Sequence, residues 1–182
     1  MTVLFLDLRG FTARAARADA KTVVNFLNRF LQVMVEIVET EYGGMVNKFL
    51  GDGFMAIFGA GSEATTHADD AIAAGCSMLR RLEVFNADLI RAKEEPLGIG
   101  IGINTGPAIV GSIGSSERME FTVIGNTVNM ASRIEGLNKA LGTSLLLSKA
   151  TKERLSRPIR LRALPPQQLK GVEEAVEIFT VA

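Results

Sequence analysis

Val46-Asn47-Lys48-Phe49-Leu50-Gly51-Asp52-Gly53-Phe54-Met55-Ala56-Ile57-Phe58 is the stretch on which the reading of the chain turns. Two apolar, β-prone runs flank Gly51-Asp52-Gly53, and Asp-Gly between such runs is a strong hairpin signal. Both strands read as buried, so the turn holds a carboxylate, Asp52, at the tip of a buried hairpin. An Asp in a hairpin turn is ordinarily turn chemistry and nothing more. A second carboxylate, in a setting that turn chemistry does not explain, would give Asp52 a further role.

That second carboxylate is Asp7. Thr2 to Leu6 is a near-continuous apolar run, of the length of a strand buried on both faces. It ends at Asp7, and Leu8-Arg9-Gly10-Phe11-Thr12 turns the chain toward a helix. An acid at a strand end, followed by free backbone N–H groups at a helix start, can hold metal and phosphate. The run begins almost at residue 1, which is expected of a piece cut from a longer chain, with a natural start as the alternative.

Between the two acids lies a predicted helix from about Ala20 to Tyr42, capped by Asp19. Val23, Leu27, Phe30, Met34 and Ile37 recur at helical spacing with Val24, Leu31 and Val38 beside them, a core-facing stripe without chemistry. Gly43-Gly44 ends that helix. Beyond Gly59-Ala60-Gly61 a second long helix is predicted over roughly Ala64 to Lys93, with His67 as a surface residue near its start.

Leu97-Gly98-Ile99-Gly100-Ile101-Gly102-Ile103 alternates isoleucine with glycine. A dinucleotide fingerprint needs its glycines between a strand and a helix. These lie inside a strand, and predict a bare face against which another backbone packs closely. Asn104-Thr105-Gly106-Pro107 turns that strand into a second, Ala108 to Ile113, and Met119 to Ile124 reads as a third. Gly125-Asn126-Thr127 opens a helix on which Asn129 and Arg133, four apart, share one face. An amide and a guanidinium so placed suit phosphate oxygens or developing negative charge. Gly136 and Gly142 bracket the helix end. Short elements follow: strand 144–147, helix 149–155, strand 159–164, and a terminal pair of strands, 169–172 and 175–181, with Lys170 near their turn.

The 182 residues suffice for one domain with a real core, and 47% hydrophobic with 22% charged residues is ordinary for a globular protein. Twenty basic and twenty acidic residues cancel, which gives no electrostatic footprint for nucleic acid or an acidic membrane. The lone Cys76 can form no internal disulfide, and no Cys/His cluster suggests zinc. No apolar run is long enough to span a membrane, and a cytoplasmic location is expected. Helices segregated onto a mostly antiparallel sheet indicate an α+β fold with a ferredoxin-like βαββαβ core, extended by C-terminal strands and a short helix.

Five stretches together resemble the catalytic domain of the class III nucleotidyl cyclases, adenylyl and guanylyl. They are residues 5–12, 48–52, 101–106, 121–133 and 169–171, in the family's order, and the similarity runs from about residue 2 to residue 180. The resemblance implies a single cyclase domain over 1–182, drawn from a longer protein that carries its regulatory domains. It implies that Asp7 and Asp52 bind two divalent ions, Mg²⁺ or Mn²⁺, with Ca²⁺ acceptable at one site. Backbone N–H groups of Arg9, Gly10, Phe11 and Thr12 would hold the terminal phosphates. Asn129 would position the ribose, Arg133 would stabilise charge at the α-phosphate, and Lys170 would grip the terminal phosphates.

Base choice would rest on Lys48 and Thr122. Adenine presents an acceptor at N1 and a donor at its amine, which a lysine and a threonine oxygen complement. The pairing favours ATP, although a hydroxyl can also donate and so admits GTP. Lys with Thr resembles the bicarbonate-responsive soluble subgroup, which implies bicarbonate activation. In the family each site spans two subunits: a homodimer would take Asp7 and Asp52 from one protomer, and Lys48, Thr122, Asn129, Arg133 and Lys170 from the other. The rival readings are a guanylyl cyclase and a non-catalytic nucleotide-binding or dimerisation module. A diguanylate cyclase is disfavoured because its Gly-Gly-(Asp/Glu)-Glu-Phe turn is absent.

Overall fold

A computed structural model describes residues 1–61 and 65–182. Strand β1 (Thr2–Arg9) leads through a one-turn helix α1 (Phe11–Ala15) to α2 (Ala20–Glu36), which ends in a π-helical turn, Ile37–Glu41. The hairpin β2 (Met45–Leu50) and β3 (Gly53–Phe58) follows, then α3 (His67–Arg91) and β4 (Gly98–Thr105). The expected helix start at Ala64 lies outside the described residues. These four strands run β2-β3-β1-β4 and are all antiparallel, the ferredoxin-like arrangement expected from the sequence.

The remaining elements extend this core. Strands β5 (Ile109–Gly114) and β6 (Met119–Ile124) form a ribbon of their own. Helix α4 (Asn126–Leu141) then leads to β7 (Leu145–Ser148), which lies parallel to β4. Helix α5 (Lys149–Lys152), β8 (Leu161–Ala163) and β9 (Ile178–Val181) complete the chain, with β9 between β7 and β8.

The alternation of β1 assigns its two faces. Leu4, Leu6 and Leu8 join Phe30, Met34, Ile72, Met78 and Leu82 in the main core, under α2 and α3. Val3 and Phe5 point the other way, into a smaller cluster with Met55, Ile57, Val123 and Ala131 of α4. Asp7, two residues beyond Phe5, therefore falls on the face that α4 covers. Strand β4 divides in the same way. Ile99, Ile101 and Ile103 are fully buried in the main core, each contributing about 1.5–3 kcal/mol of burial. Its glycines face α4. A Cβ on Gly102 would meet the carbonyl oxygen of Ala131 at 2.6 Å and the Glu135 backbone. The bare strand face predicted from the alternation is thus the floor of α4.

The first turn of α4 is tied to the sheet by buried polar side chains. The Asn104 amide donates from Nδ2 to the Thr127 carbonyl at 3.0 Å, and its Oδ1 accepts from the Ser148 hydroxyl at 2.6 Å. Ser148 meets Thr151 at 3.1 Å, Thr105 donates to Thr151 at 3.1 Å, and Thr105 meets Thr2 at 2.7 Å. The far end is His67, whose Nδ1 lies 2.8 Å from Thr2 Oγ1. Thr105 spends its one hydroxyl proton on Thr151, so Thr2 donates to Thr105 and His67 donates to Thr2 from Nδ1; Thr151 also has the Ile103 carbonyl within reach at 3.4 Å. His67 is accordingly half-buried and bonded, not the bare surface residue expected.

Other departures have local causes. Strand β2, expected to be buried, is a sheet edge with Phe49 57% and Leu50 45% exposed. Val24, placed beside the core stripe of α2, is 54% exposed, because the stripe is narrower than the apolar run. The Asp19 cap is as expected: its carboxylate accepts from Thr22 N at 3.0 Å. Helix α4 continues through Gly136 to Leu141 and is capped by Gly142 at φ 63°. Strand β5 leaves the main sheet to pair with β6. The terminal pair is not a hairpin: only Gln167 bridges Val176, and β9 enters the main sheet.

Candidate active site

Asp7 and Asp52 meet because of a glycine. Leu6 pairs with Phe54 across β1 and β3, so the hairpin tip lies over the end of β1. A Cβ on Gly53 would strike the Leu6 carbonyl and lie 3.1 Å from Asp7 Cα. Only a residue without a side chain lets the turn settle there. Gly51, at φ 69°, supplies the left-handed residue of the same turn. The Asp7 carboxyl opens to solvent but is partly desolvated, and that desolvation, followed by the Asp52 charge, raises its pKa above the usual aspartate value. The Arg9 guanidinium and the Leu8 N–H oppose the shift.

Among the described residues no three His, Cys, Asp or Glu side chains form a ligand cluster. The pair still fits a hard divalent cation. Mg²⁺ is commonly held by one or two carboxylates together with substrate phosphates. The repulsion that lifts Asp7 is relieved by positive charge between the two acids.

Behind Asp7, Gly10 takes the left-handed conformation at φ 75° and starts α1. Phe11 is buried and stacks on Phe26 with ring centroids 6.2 Å apart, which pins this turn. The first N–H groups of α1 have no partner within the helix and point out of its start. Arg9 lends only backbone to that turn. Its guanidinium reaches under α4 and donates to the Thr143 carbonyl at 2.5 Å.

A third acid, not singled out in the sequence, stands beside Asp7. Glu135 of α4 rests over Gly100, the residue that pairs with Asp7. Burial, then the Asp7 charge, push its pKa up from 4.5 to about 7, with Arg9 acting in the opposite sense. The signal available was its spacing: Glu135 is four residues after Ala131, on the helix face laid against the glycine strand. Between pH 4.5 and about 7 the folded chain keeps a proton on Glu135 that the unfolded chain has lost. Stability is therefore expected to fall as pH rises through this window, with the decline ending above about 7. Thermal unfolding of the wild-type chain and a Glu135→Gln variant across that range checks this, since the glutamine variant should keep only the smaller decline that the raised Asp7 adds at the acid end.

Helix α4 separates its polar residues. Ala131, Ile134 and Asn138 are buried against the sheet. Asn129 and Arg133 are each two positions from Ala131, about 200° around the helix, and so turn away from the face carrying Glu135. Asn129 is exposed and Arg133 is half-buried. Arg133 borders the loop bearing Lys170: a Cβ on Gly171 would lie 3.6 Å from Arg133 Nη2. Leu169, 5% exposed, packs with Ile134 and Leu146 and anchors that loop.

Lys48 and Thr122 lie on β2 and β6, two strands that meet through their side chains. Lys48 Nζ pairs with Glu120 at 2.7 Å, and the buried Thr122 hydroxyl donates to Asn47 Oδ1 at 3.3 Å. Neither Asn47 nor Glu120 stood out in the sequence. Glu120 reads as one polar residue of an alternating strand, and Asn47 escapes periodicity because the β2 register shifts between Val46 and Lys48.

The chain matches the family model for the adenylate and guanylate cyclase catalytic domain over residues 1–182. It belongs to that family. The resemblance drawn from five motifs is borne out along the whole cyclase domain. The domain is 35% identical to an adenylate cyclase of Anabaena cylindrica and 34% identical to adenylate cyclase 1 of Rhizobium meliloti, covering all of this chain in each case. It spans only 36% and 27% of those relatives' lengths. Among solved structures it is similar to the adenylyl cyclase CyaB from P. aeruginosa, with TM-score 0.89, 34% identity, and coverage of 100% of this chain and 92% of that one. It is also similar to the guanylyl cyclase Cya2, with TM-score 0.85, 35% identity, and coverage of 100% and 90%. No described helix is long and apolar enough to cross a membrane.

Proposed function

We propose that the domain converts ATP to 3′,5′-cyclic AMP and pyrophosphate, at sites shared between two copies of the chain. The carrying observation is the division of the acidic and basic groups. Asp7 and Asp52 meet on the sheet under one side of α4, while Asn129 and Arg133 leave from its other side. One chain then supplies the acids and a partner's α4 supplies the amide and guanidinium. A two-fold interface repeats this arrangement and forms two equivalent sites.

Exposed apolar side chains on β2 and the β5–β6 ribbon suit such an interface: Phe49, Leu50, Ile109, Ile113, Met119 and Phe121 are 44–68% exposed. Asp7 and Asp52 would hold Mg²⁺ or Mn²⁺, two ions in the fullest form of the reading. Bound there, such ions lower the pKa of the ribose 3′-hydroxyl and neutralise phosphate charge. The backbone N–H groups from Gly10 to Thr12 hold the terminal phosphates, together with Lys170. Asn129 orients the ribose so that its 3′-oxygen lies in line with the α-phosphorus. That oxygen forms the new P–O bond, its proton leaves to solvent, and the bond to the bridging oxygen breaks to release pyrophosphate. Arg133 donates to the α-phosphate oxygens as their charge grows. No covalent bond to the protein forms.

Lys48 donates to adenine N1 and Thr122 accepts from the adenine amine. The similarity to Cya2 keeps guanylyl cyclase as the second reading. Regulation would reside in the remainder of a longer chain, as the small fraction of each curated relative covered here suggests. The test is incubation of the purified chain with ATP or GTP and Mg²⁺ or Mn²⁺, with products identified by mass. Cyclic AMP and pyrophosphate from ATP, formed faster than cyclic GMP from GTP, are expected. No cyclic nucleotide under any combination would refute the reading.

A further inference from the structure

We infer that Asn47 is a positioning residue that biases Thr122 toward accepting and so favours ATP over GTP. The inference rests on the cyclase reading above, and on Lys48 and Thr122 facing the base. A threonine hydroxyl is by itself ambiguous, because it can accept from the adenine amine or donate to guanine O6. The surroundings of Thr122 tilt that choice toward accepting.

The Asn47 amide is oriented by its two partners. Its Nδ2 lies 3.2 Å from the Phe121 carbonyl, an atom that can only accept. The amide nitrogen must therefore face Phe121, and Oδ1 must face Thr122. Thr122 Oγ1 lies 3.3 Å from that Oδ1 and donates to it. At 3.3 Å this is a long O–H···O contact, and it draws the hydroxyl proton toward Asn47 and leaves the Thr122 lone pairs for the base. Those lone pairs accept from the adenine amine and repel guanine O6.

The backbone explains how Asn47 reaches this position next to Lys48. Neighbours in a regular strand point to opposite faces. Here the register of β2 against β3 shifts between Val46 and Lys48, and Asn47 is the extra residue of the bulge. Bulges re-aim side chains and are frequent beside active sites. Both Asn47 and Lys48 consequently reach β6, Lys48 to Glu120 and Asn47 to Phe121 and Thr122.

The test compares wild type, Asn47→Leu and Asn47→Asp. Leucine keeps the branched outline of asparagine but removes the acceptor, whereas aspartate retains one. Each chain is assayed for kcat and KM with ATP and GTP, and for binding of 3′-deoxy-ATP and 3′-deoxy-GTP, which lack the attacking hydroxyl. Asn47→Leu is expected to lower the ATP-to-GTP ratio of kcat/KM about tenfold, the scale of one hydrogen bond gained and one lost. The change should fall mainly on KM, with the same tenfold change in the ratio of deoxynucleotide dissociation constants. Asn47→Asp should keep the wild-type ratio or raise it.

An unchanged ratio in Asn47→Leu, or equal losses with both nucleotides, would overturn the inference while leaving the cyclase reading intact. A wild-type chain that forms no cyclic nucleotide refutes the cyclase reading instead. In that case the deoxynucleotide binding ratios still decide the role of Asn47.

Discussion

Asp52→Asn is expected to lower the rate of cyclic AMP formation by a factor of about a thousand, the size of several kcal/mol of lost charge stabilisation. Asn fits the same turn, because it tolerates the conformations Asp adopts there. The neighbouring Gly53, pressed against Leu6, is untouched, so the hairpin should keep its place. Removal of the Asp52 charge also removes one of the two causes that raise Asp7. The Asp7 pKa should then move down toward the ordinary aspartate value, as carboxyl NMR titration would show. A variant with wild-type stability, a lowered Asp7 pKa and little turnover separates a lost cation site from a lost fold. Full turnover in Asp52→Asn would mean that these acids do not serve the reaction.

Arg133→Ala is expected to cost about 3–4 kcal/mol in the transition state, roughly a hundred- to thousandfold in kcat. The loss should appear in kcat with KM for ATP changed far less, because the α-phosphate acquires its extra charge only during reaction. Stability should change by no more than about 0.5 kcal/mol. Arg133 leaves the outward side of α4, and the buried contacts of that helix belong to Ala131, Ile134 and Asn138. Steady-state kinetics and a thermal melt on the same preparation check both parts. An equal fall in kcat and stability would indicate that Arg133 holds the 169–172 loop in place and has no part in the chemistry.

Much of this arrangement was legible because the residues concerned obey simple periodicities. The apolar run of β1 predicted a strand covered on both faces, and Leu4 and Val3 do enter different clusters. The isoleucine–glycine alternation of β4 predicted a close backbone neighbour, found in Ala131 and Glu135 of α4. Asp7, Asp52, Asn129 and Arg133 were visible at strand ends, a turn and a helical i,i+4 pair.

What escaped depends on contacts between segments far apart in the chain. The edge position of β2 depends on sheet order, which no local pattern in residues 46–50 carries. His67 looks solitary until Thr2, 65 residues away, meets its ring. Glu135 gains its raised pKa only when β1 brings Asp7 beneath α4. Asn47 is hidden by a bulge, a one-residue defect in the period that strand reading relies on.

The division of the site between two copies of the chain is the central claim, and mixing two inactive variants tests it most directly. On that account Asp7→Ala would lack an acid, Arg133→Ala would lack the transition-state donor, and a homodimer of either variant would have both of its sites broken. A heterodimer would place both lesions in one site and leave the other intact. Random exchange of equal amounts should restore about a quarter of wild-type cyclic AMP formation, since half of the dimers are mixed and each has one working site. Activity that stays at the level of the separate variants, in a mixture shown to contain heterodimers, would contradict the shared site.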